Sequence, residues 1–371
     1  MDRRRFMGNL GAAAALLPLK EDLFAFAQPG DPVVTGDTDG DGLRVHAARK
    51  GIIYGAATVK KLFEQNPAYA AAFVRECAIL VPDWEAKWKA LRPTPTTYDF
   101  SAVDWLLQFA TSHGLLFRGH TLVWHDALPD WFSTTVTPSN ARQFLVDHIR
   151  TVVGRYAGKV HSWDVVNEAV LPSDGRPDGL RNSPWLRLLG PGYIELAFRE
   201  AAKADPKALL VYNETHIEHD TPETDAKREA VLELLRQLKQ KGVPVQGLGI
   251  QAHLSANLPF SKQKFQRFMS EASGMGLKLL ITEMDVNAYN IQGSEDERKQ
   301  IVAAMYANFL SAALQNKALI AVLDWELSDR YSWLGPRKDH QPIHPLPLDG
   351  NMNRNPAWYA IAKAFDQAPD R

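Results

Sequence analysis

Residues 160–169 read Val-His-Ser-Trp-Asp-Val-Val-Asn-Glu-Ala, a β-branched apolar run that turns polar at its end. Just before it, Ser139 to Gly154 repeats with a helical period. A short run of this kind beside a longer helical segment is one unit of an alternating β/α chain with a parallel sheet. Moving outward from it, the same alternation recurs. The strand candidates are Ile52–Ala57, Ala78–Val81, Leu115–His120, Val160–Val166, Ala208–Tyr212, Gly247–Gln251, Leu277–Thr282 and Ala318–Asp324, with helical stretches such as Thr221 to Lys241 and Glu295 to Gln315 between them. Eight units predict an α/β fold, a single (β/α)8 TIM barrel, in which chemistry sits where strands end at the C-terminal face. No second domain or repeat array is visible, and a helix is expected to begin near Pro356.

The chain has 371 residues with 45% hydrophobic and 23% charged content, enough to bury one large core. A formal net charge of −1 gives no support for a nucleic-acid partner. The N-terminus runs from Arg3-Arg4-Arg5 and Phe6 through an apolar stretch from Gly11 to Leu19 to Ala25-Phe26-Ala27. That order predicts a signal peptide over residues 1–27, of twin-arginine type, and hence an exported protein, periplasmic or secreted. The apolar stretch is shorter than the roughly 20 residues a membrane span needs, so no membrane association is expected after cleavage. Residues 28–45 are read as a flexible lead-in and 46–371 as the folded barrel. Within the lead-in, Asp37-Thr38-Asp39-Gly40-Asp41-Gly42 imitates the start of a calcium loop, but Ala48 stands where the bidentate Glu is required. The single cysteine, Cys77, lies in an apolar context and is read as a packing residue.

Two carboxylates stand at strand ends: Glu168 after the fourth strand and Glu283 in Ile281-Thr282-Glu283-Met284-Asp285 after the seventh. These strands lie on opposite sides of a barrel mouth. Hydrolysis of a glycosidic bond needs two carboxyl groups flanking it, one to protonate the leaving oxygen and one to attack the anomeric carbon or activate water. A lone Glu at a strand end more often caps a helix or makes an ion pair. Asn167 beside one and Asp285 beside the other raise this pair above that reading. The His216-Ile217-Glu218-His219-Asp220 cluster lacks further spaced ligands, so no metal site is read there and no cofactor is implied. HExxH, a phosphate-binding Gly-rich loop and GxSxG are all absent.

Five segments in order resemble the successive signatures of glycoside hydrolase family 10: Gly119-His120-Thr121-Leu122-Val123-Trp124-His125, Trp163 to Ala169, Gly249-Ile250-Gln251-Ala252-His253, Ile281 to Val286, and Trp325 to Trp333. The resemblance spans roughly residues 50 to 365. It implies a retaining endo-1,4-β-xylanase with Glu283 as nucleophile and Glu168 as acid/base. It further implies that His253 donates to Glu283 and is oriented by Asp285, and that Gln251 supports the acid/base. Asn167 would bind the 2-hydroxyl of the sugar at the cleavage point, His120 and Lys87 its other hydroxyls. Trp124, Trp325 and Trp333 would form the aromatic walls. The implied partner is xylan or its oligosaccharides; separately from the resemblance, a monomer is expected. A general acid must hold its proton, which burial or a neighbouring negative charge favours, whereas a nucleophile must stay ionised.

Three departures bear on the substrate. After the second strand the family's Glu-Asn pair is replaced by Asp83-Trp84, although Lys87 and Trp88 follow in place. Glu326 stands where Gly usually follows the Trp, and Thr215-His216 where Tyr-Asn is usual. Two other readings therefore stay open: a retaining β-glycosidase of the same fold acting on xylo-oligosaccharides or β-glucan, and a sugar-binding barrel without catalysis.

Overall fold

The computed structural model describes residues 40–336 and 341–371. The signal peptide, most of the lead-in and Asp37–Asp39 of the calcium-loop imitation lie outside the described residues. Leu43–Ala48, at the junction of the expected lead-in and barrel, form a helix with Leu43 and Ala47 fully buried.

Eight parallel strands close into a barrel: β1 (Ile53–Thr58), β2 (Ile79–Pro82), β3 (Leu116–Gly119), β4 (Ser162–Asn167), β5 (Leu209–Glu214), β6 (Gly247–Ile250), β7 (Lys278–Asn287) and β8 (Leu319–Asp324). Each pairs with its successor, and β8 returns to β1 in the register Ile53↔Ala321 through Ala56↔Asp324. Every residue of β1, β4, β5 and β8 is buried. A parallel strand is covered by helices on one side and by the barrel interior on the other, which is why these strands are buried along their whole length rather than at alternate residues.

The largest departure from the expected strands is β7, which continues past Thr282 to Asn287. Its far end gains a partner in a short extra strand, His253–Ser255, through His253↔Asp285 and Leu254↔Val286. On the other side the register against β8 shifts between Ile281 and Met284, so Thr282 and Glu283 sit at an irregularity. Such a shift re-aims side chains locally.

The outer helices begin where the sequence supplies caps. Thr221 accepts from Thr224 N ahead of Pro222–Gln240, and Ser294 with Glu297 forms a reciprocal capping box ahead of Glu295–Ala313. The helix expected near Pro356 spans Pro356–Asp366. Gly119, last residue of β3, is needed for close approach: a Cβ there would collide with the indole of Trp163 on β4. Cys77 is buried and free, and among the described residues no helix is long and apolar enough to cross a membrane.

Candidate active site

Glu168 directly follows β4, and Glu283 lies in β7, both at the C-terminal face and both almost fully buried. The backbone of Glu168 adopts φ 56°, a left-handed conformation that costs a non-glycine residue on the order of 1–3 kcal/mol. It is held there from two sides, by its N–H donating to Asn213 O (2.9 Å) and by Arg181 Nε donating to its carbonyl (2.8 Å). Ala252, with φ 59°, follows Gln251, whose carbonyl receives the N–H of Glu283 at 2.9 Å. The strained backbone thus gathers around the two carboxylates.

Glu283 is flanked by Asn213 on one side and His253 on the other, each held in turn by further residues. Asn213 at the end of β5 donates to Glu283 Oε1 at 2.7 Å and to Asn167 Oδ1 at 2.8 Å. Thr282 donates to Asn213 Oδ1 at 2.8 Å, which settles the orientation of that amide. Space for it comes from Gly249 on β6, where a Cβ would collide with Asn213 Oδ1. On the other side His253 Nε2 lies 3.5 Å from Glu283 Oε2, while its Nδ1 meets Asp285 at 3.0 Å. Burial alone would lower the His253 pKa, but Asp285 and Glu283 outweigh it and raise it to about 10. The ring therefore presents a positive charge to Glu283. Trp333 Nε1 donates to the second oxygen of Asp285 at 2.6 Å.

Around Glu168, Gln251 Nε2 donates to Oε1 at 2.9 Å. His125 Nδ1 and Arg181 Nη2 lie 3.7 and 3.8 Å from Oε2, beyond direct hydrogen bonding. Burial pushes the Glu168 carboxyl up, but His125, Arg181 and hydrogen bonds from Gln251 and Trp124 bring it below its usual value. The sequence-based expectation that burial holds this acid protonated is thus corrected for the free protein. Amide and cationic neighbours reverse the effect of burial.

The candidate sugar contacts converge on Lys87. Lys87 is 7% exposed, and its ammonium lies 3.6 Å from Asp83 and 5.0, 5.4 and 6.0 Å from the ring centres of Trp124, Trp325 and Trp84. Trp124 and Trp325 are buried, whereas Trp84, Trp333 and Asp83 are half-buried. His120 packs edge-on to Trp325 at 5.3 Å and meets Asp164 Oδ2 at 3.0 Å, with Glu283 Oε1 3.9 Å away. Asp164 is in turn paired with Arg118, fully buried in the barrel interior.

All the residues proposed from sequence meet at one end of the barrel. Sequence reasoning missed Asn213, Thr282, Asp164, Arg118, His125 and Arg181. Asp164 and His125 lay inside the quoted motifs, and Asn213 in the polar end of the fifth strand. Arg181 carries no such signal, because a loop brings it in. Glu218 and His219 are buried in the loop after β5, with burial raising the Glu218 pKa to about 7. Among the described residues no group of three or more His, Cys, Asp or Glu is placed to hold a metal ion.

The model of the Glycosyl hydrolase family 10 family matches residues 42–364. The chain is 34% identical over 329 residues to endo-1,4-beta-xylanase B of Thermotoga neapolitana, covering 88% of this chain and 92% of that one. It is 35% identical over 295 residues to a beta-1,4-xylanase of Dictyoglomus thermophilum, covering 76% and 81%. Among solved structures, xylanase 10B of Thermotoga petrophila RKU-1 in complex with xylobiose superposes with a TM-score of 0.82 at 35% identity, covering 90% of this chain and 99% of that chain. With the barrel, the paired carboxylates and the matched family model in agreement, the chain belongs to glycoside hydrolase family 10.

Proposed function

We propose that this glycoside hydrolase is a retaining endo-1,4-β-xylanase, cutting β-1,4-xylosidic bonds of xylan by double displacement. Glu168 gives its proton to the glycosidic oxygen as the bond to the anomeric carbon breaks, and a Glu283 oxygen forms the glycosyl ester. Glu168, now a carboxylate, takes a proton from water. That water attacks the anomeric carbon and Glu283 leaves as a carboxylate. His253 supplies positive charge beside the nucleophile, and Asp285 holds that ring. Asn167 is the acceptor and donor for the 2-hydroxyl, and Lys87, His120 and the tryptophans grip the rest of the ring.

The observation that carries this reading is the amide bridge between the carboxylates: Gln251 and Asn213 both reach Asn167 while donating to Glu168 and Glu283 respectively. Both carboxyl groups are thereby oriented before any sugar arrives, as catalysis by preorganisation requires. The test is reducing-sugar release from xylan and from a soluble β-glucan by the mature protein, Glu168→Ala and Glu283→Ala. Xylan hydrolysis abolished by both substitutions supports the reading, and no hydrolysis of any β-glycan removes it.

One observation favours a shifted substrate within the same chemistry. Trp84 sets a flat apolar face beside Lys87 where the family's pattern has an amide, which favours short xylo-oligosaccharides or a β-glucan over long xylan. The N-terminal sequence supports export by the twin-arginine route, tested by fractionating cells with and without that translocase. A monomer is proposed, and sedimentation tests it.

A further inference from the structure

Glu168 must exist in both charge states during one turnover. After it has given up its proton, the carboxylate stands in a pocket that leaves the residue 2% exposed. A buried carboxylate is unstable without a counter-charge or strong donors. The ionisable groups facing this pocket are His125 and Asp126 from the loop after β3, Arg181 from the loop after β4, Glu214 and Lys227 behind them, and Glu283 across the cleft. Lys227 is engaged by Glu214 at 2.8 Å, so its charge is largely neutralised locally. Burial and Arg181 depress His125 to about 4 against the opposing pull of Glu168, so the charge by which His125 lowers the Glu168 pKa is present at acidic pH and fades as pH rises above that value. That leaves the guanidinium of Arg181.

The loop that carries Arg181 is built to keep it there. After Glu168 the chain doubles back, with Val170 bridging Leu180 and Leu171 N–H donating to Gly179 O at 2.9 Å. A turn through Gly175 at φ 74° reverses it. Arg181 N–H then donates to Ala169 O at 2.8 Å, and its Nε to Glu168 O at 2.8 Å. The Nη2 atom is left facing Glu168 Oε2 at 3.8 Å.

We infer that Arg181 is a positioning residue whose fixed charge sets the proton affinity of Glu168, and so the alkaline limit of the first half-reaction and the readiness of the base in the second. This rests on the acid/base assignment proposed above. A guanidinium keeps its charge through the whole working range. Its distance from the carboxyl is therefore what does the tuning, and its hydrogen bond to the Glu168 carbonyl keeps that distance fixed.

Three substitutions separate charge from packing. Arg181→Gln removes the charge and keeps an amide donor, Arg181→Lys keeps the charge on a different frame, and Arg181→Met removes both. The readout is kcat/KM against pH on xylotetraose, together with carboxyl-carbon NMR titration of Glu168 assigned through Glu168→Gln. In Arg181→Gln and Arg181→Met the alkaline limb and the Glu168 titration are expected to move up together by about one pH unit, the lower end of the shift an adjacent opposite charge produces. In Arg181→Lys both stay near the wild-type position. An aryl β-xylobioside whose leaving group needs no proton shows no such movement of kcat/KM. A uniform loss of activity with both curves unmoved in Arg181→Gln would overturn the inference and leave Arg181 a packing residue. If Arg181→Met does not fold, the Gln and Lys pair decides. If xylotetraose is not cleaved by the wild type, the functional reading fails, while the NMR titration still tests the electrostatic claim.

Discussion

Asn213 Nδ2 donates to Glu283 Oε1 at 2.7 Å, with the amide locked from behind by Thr282. The contact comes from β5 rather than from the strand that carries Glu283, so it fixes the carboxylate against rotation about its own side chain. Hydrogen bonds to a charged group contribute about 1.5–3 kcal/mol. Asn213→Ala is accordingly expected to lower kcat about 10- to 100-fold with KM little changed. Steady-state kinetics on xylo-oligosaccharides check it, and a KM-only effect would place Asn213 in binding instead.

His253 ties stability to pH. Its folded-state pKa of about 10 exceeds the ordinary histidine value of about 6.5, so the folded protein holds a proton there that the unfolded chain releases. The stabilisation is complete below about pH 6.5 and is lost as pH rises towards 10, at about 1.4 kcal/mol per pH unit from this group. Denaturant unfolding between pH 6.5 and 10 should show that decline. Asp285→Asn removes the largest cause raising the His253 pKa and should flatten it.

Asp324 closes β8 inside the barrel, fully buried, hydrogen-bonded to the Tyr54 hydroxyl and facing Tyr306, whose own hydroxyl donates to Pro345 O at 2.8 Å. Burial, with Asp285 nearby, raises its pKa well above the usual value despite the two tyrosines. The folded state therefore keeps a proton that the unfolded chain loses above about pH 4, and the protein is progressively destabilised as pH rises from there. Asp324→Asn has the same shape and no proton to lose. Its thermal stability should exceed the wild type at pH 7–8, with the gap closing near pH 4.

Trp84 is the one wall of the Lys87 cage that remains half-exposed. An aromatic face is worth about 0.5–1.5 kcal/mol beyond simple burial. Trp84→Ala should raise KM for tetra- and pentasaccharides about 3- to 10-fold and leave kcat unchanged. Equal KM values for the two proteins across all chain lengths would remove Trp84 from the binding surface.

The barrel was legible because its strands are buried on both sides, so eight short, largely apolar and β-branched runs stand out against the helical period between them. The carboxylates were legible because each stands two residues past the last apolar residue of such a run, after Val166 and Ile281 respectively. What escaped were residues whose importance is set by a partner elsewhere in the chain. Asn213 matters because Gly249 leaves room for it and Thr282 turns it, and neither spacing nor composition records that. Arg181 arrives by a hairpin whose register is fixed by backbone bonds. The extension of β7 was missed for a similar reason, since its partner strand exists only once His253 and Asp285 are opposed.

The link between the two carboxylates runs through Gln251, Asn167 and Asn213, all of them amides. An amide side chain neither gains nor loses a proton in the pH range where a protein stays folded. The bridge therefore transmits orientation and no charge: a proton landing on one carboxylate cannot reach the other through it. The two half-reactions share a rigid frame, and the proton that Glu168 hands to the leaving sugar is replaced from the incoming water rather than along that frame.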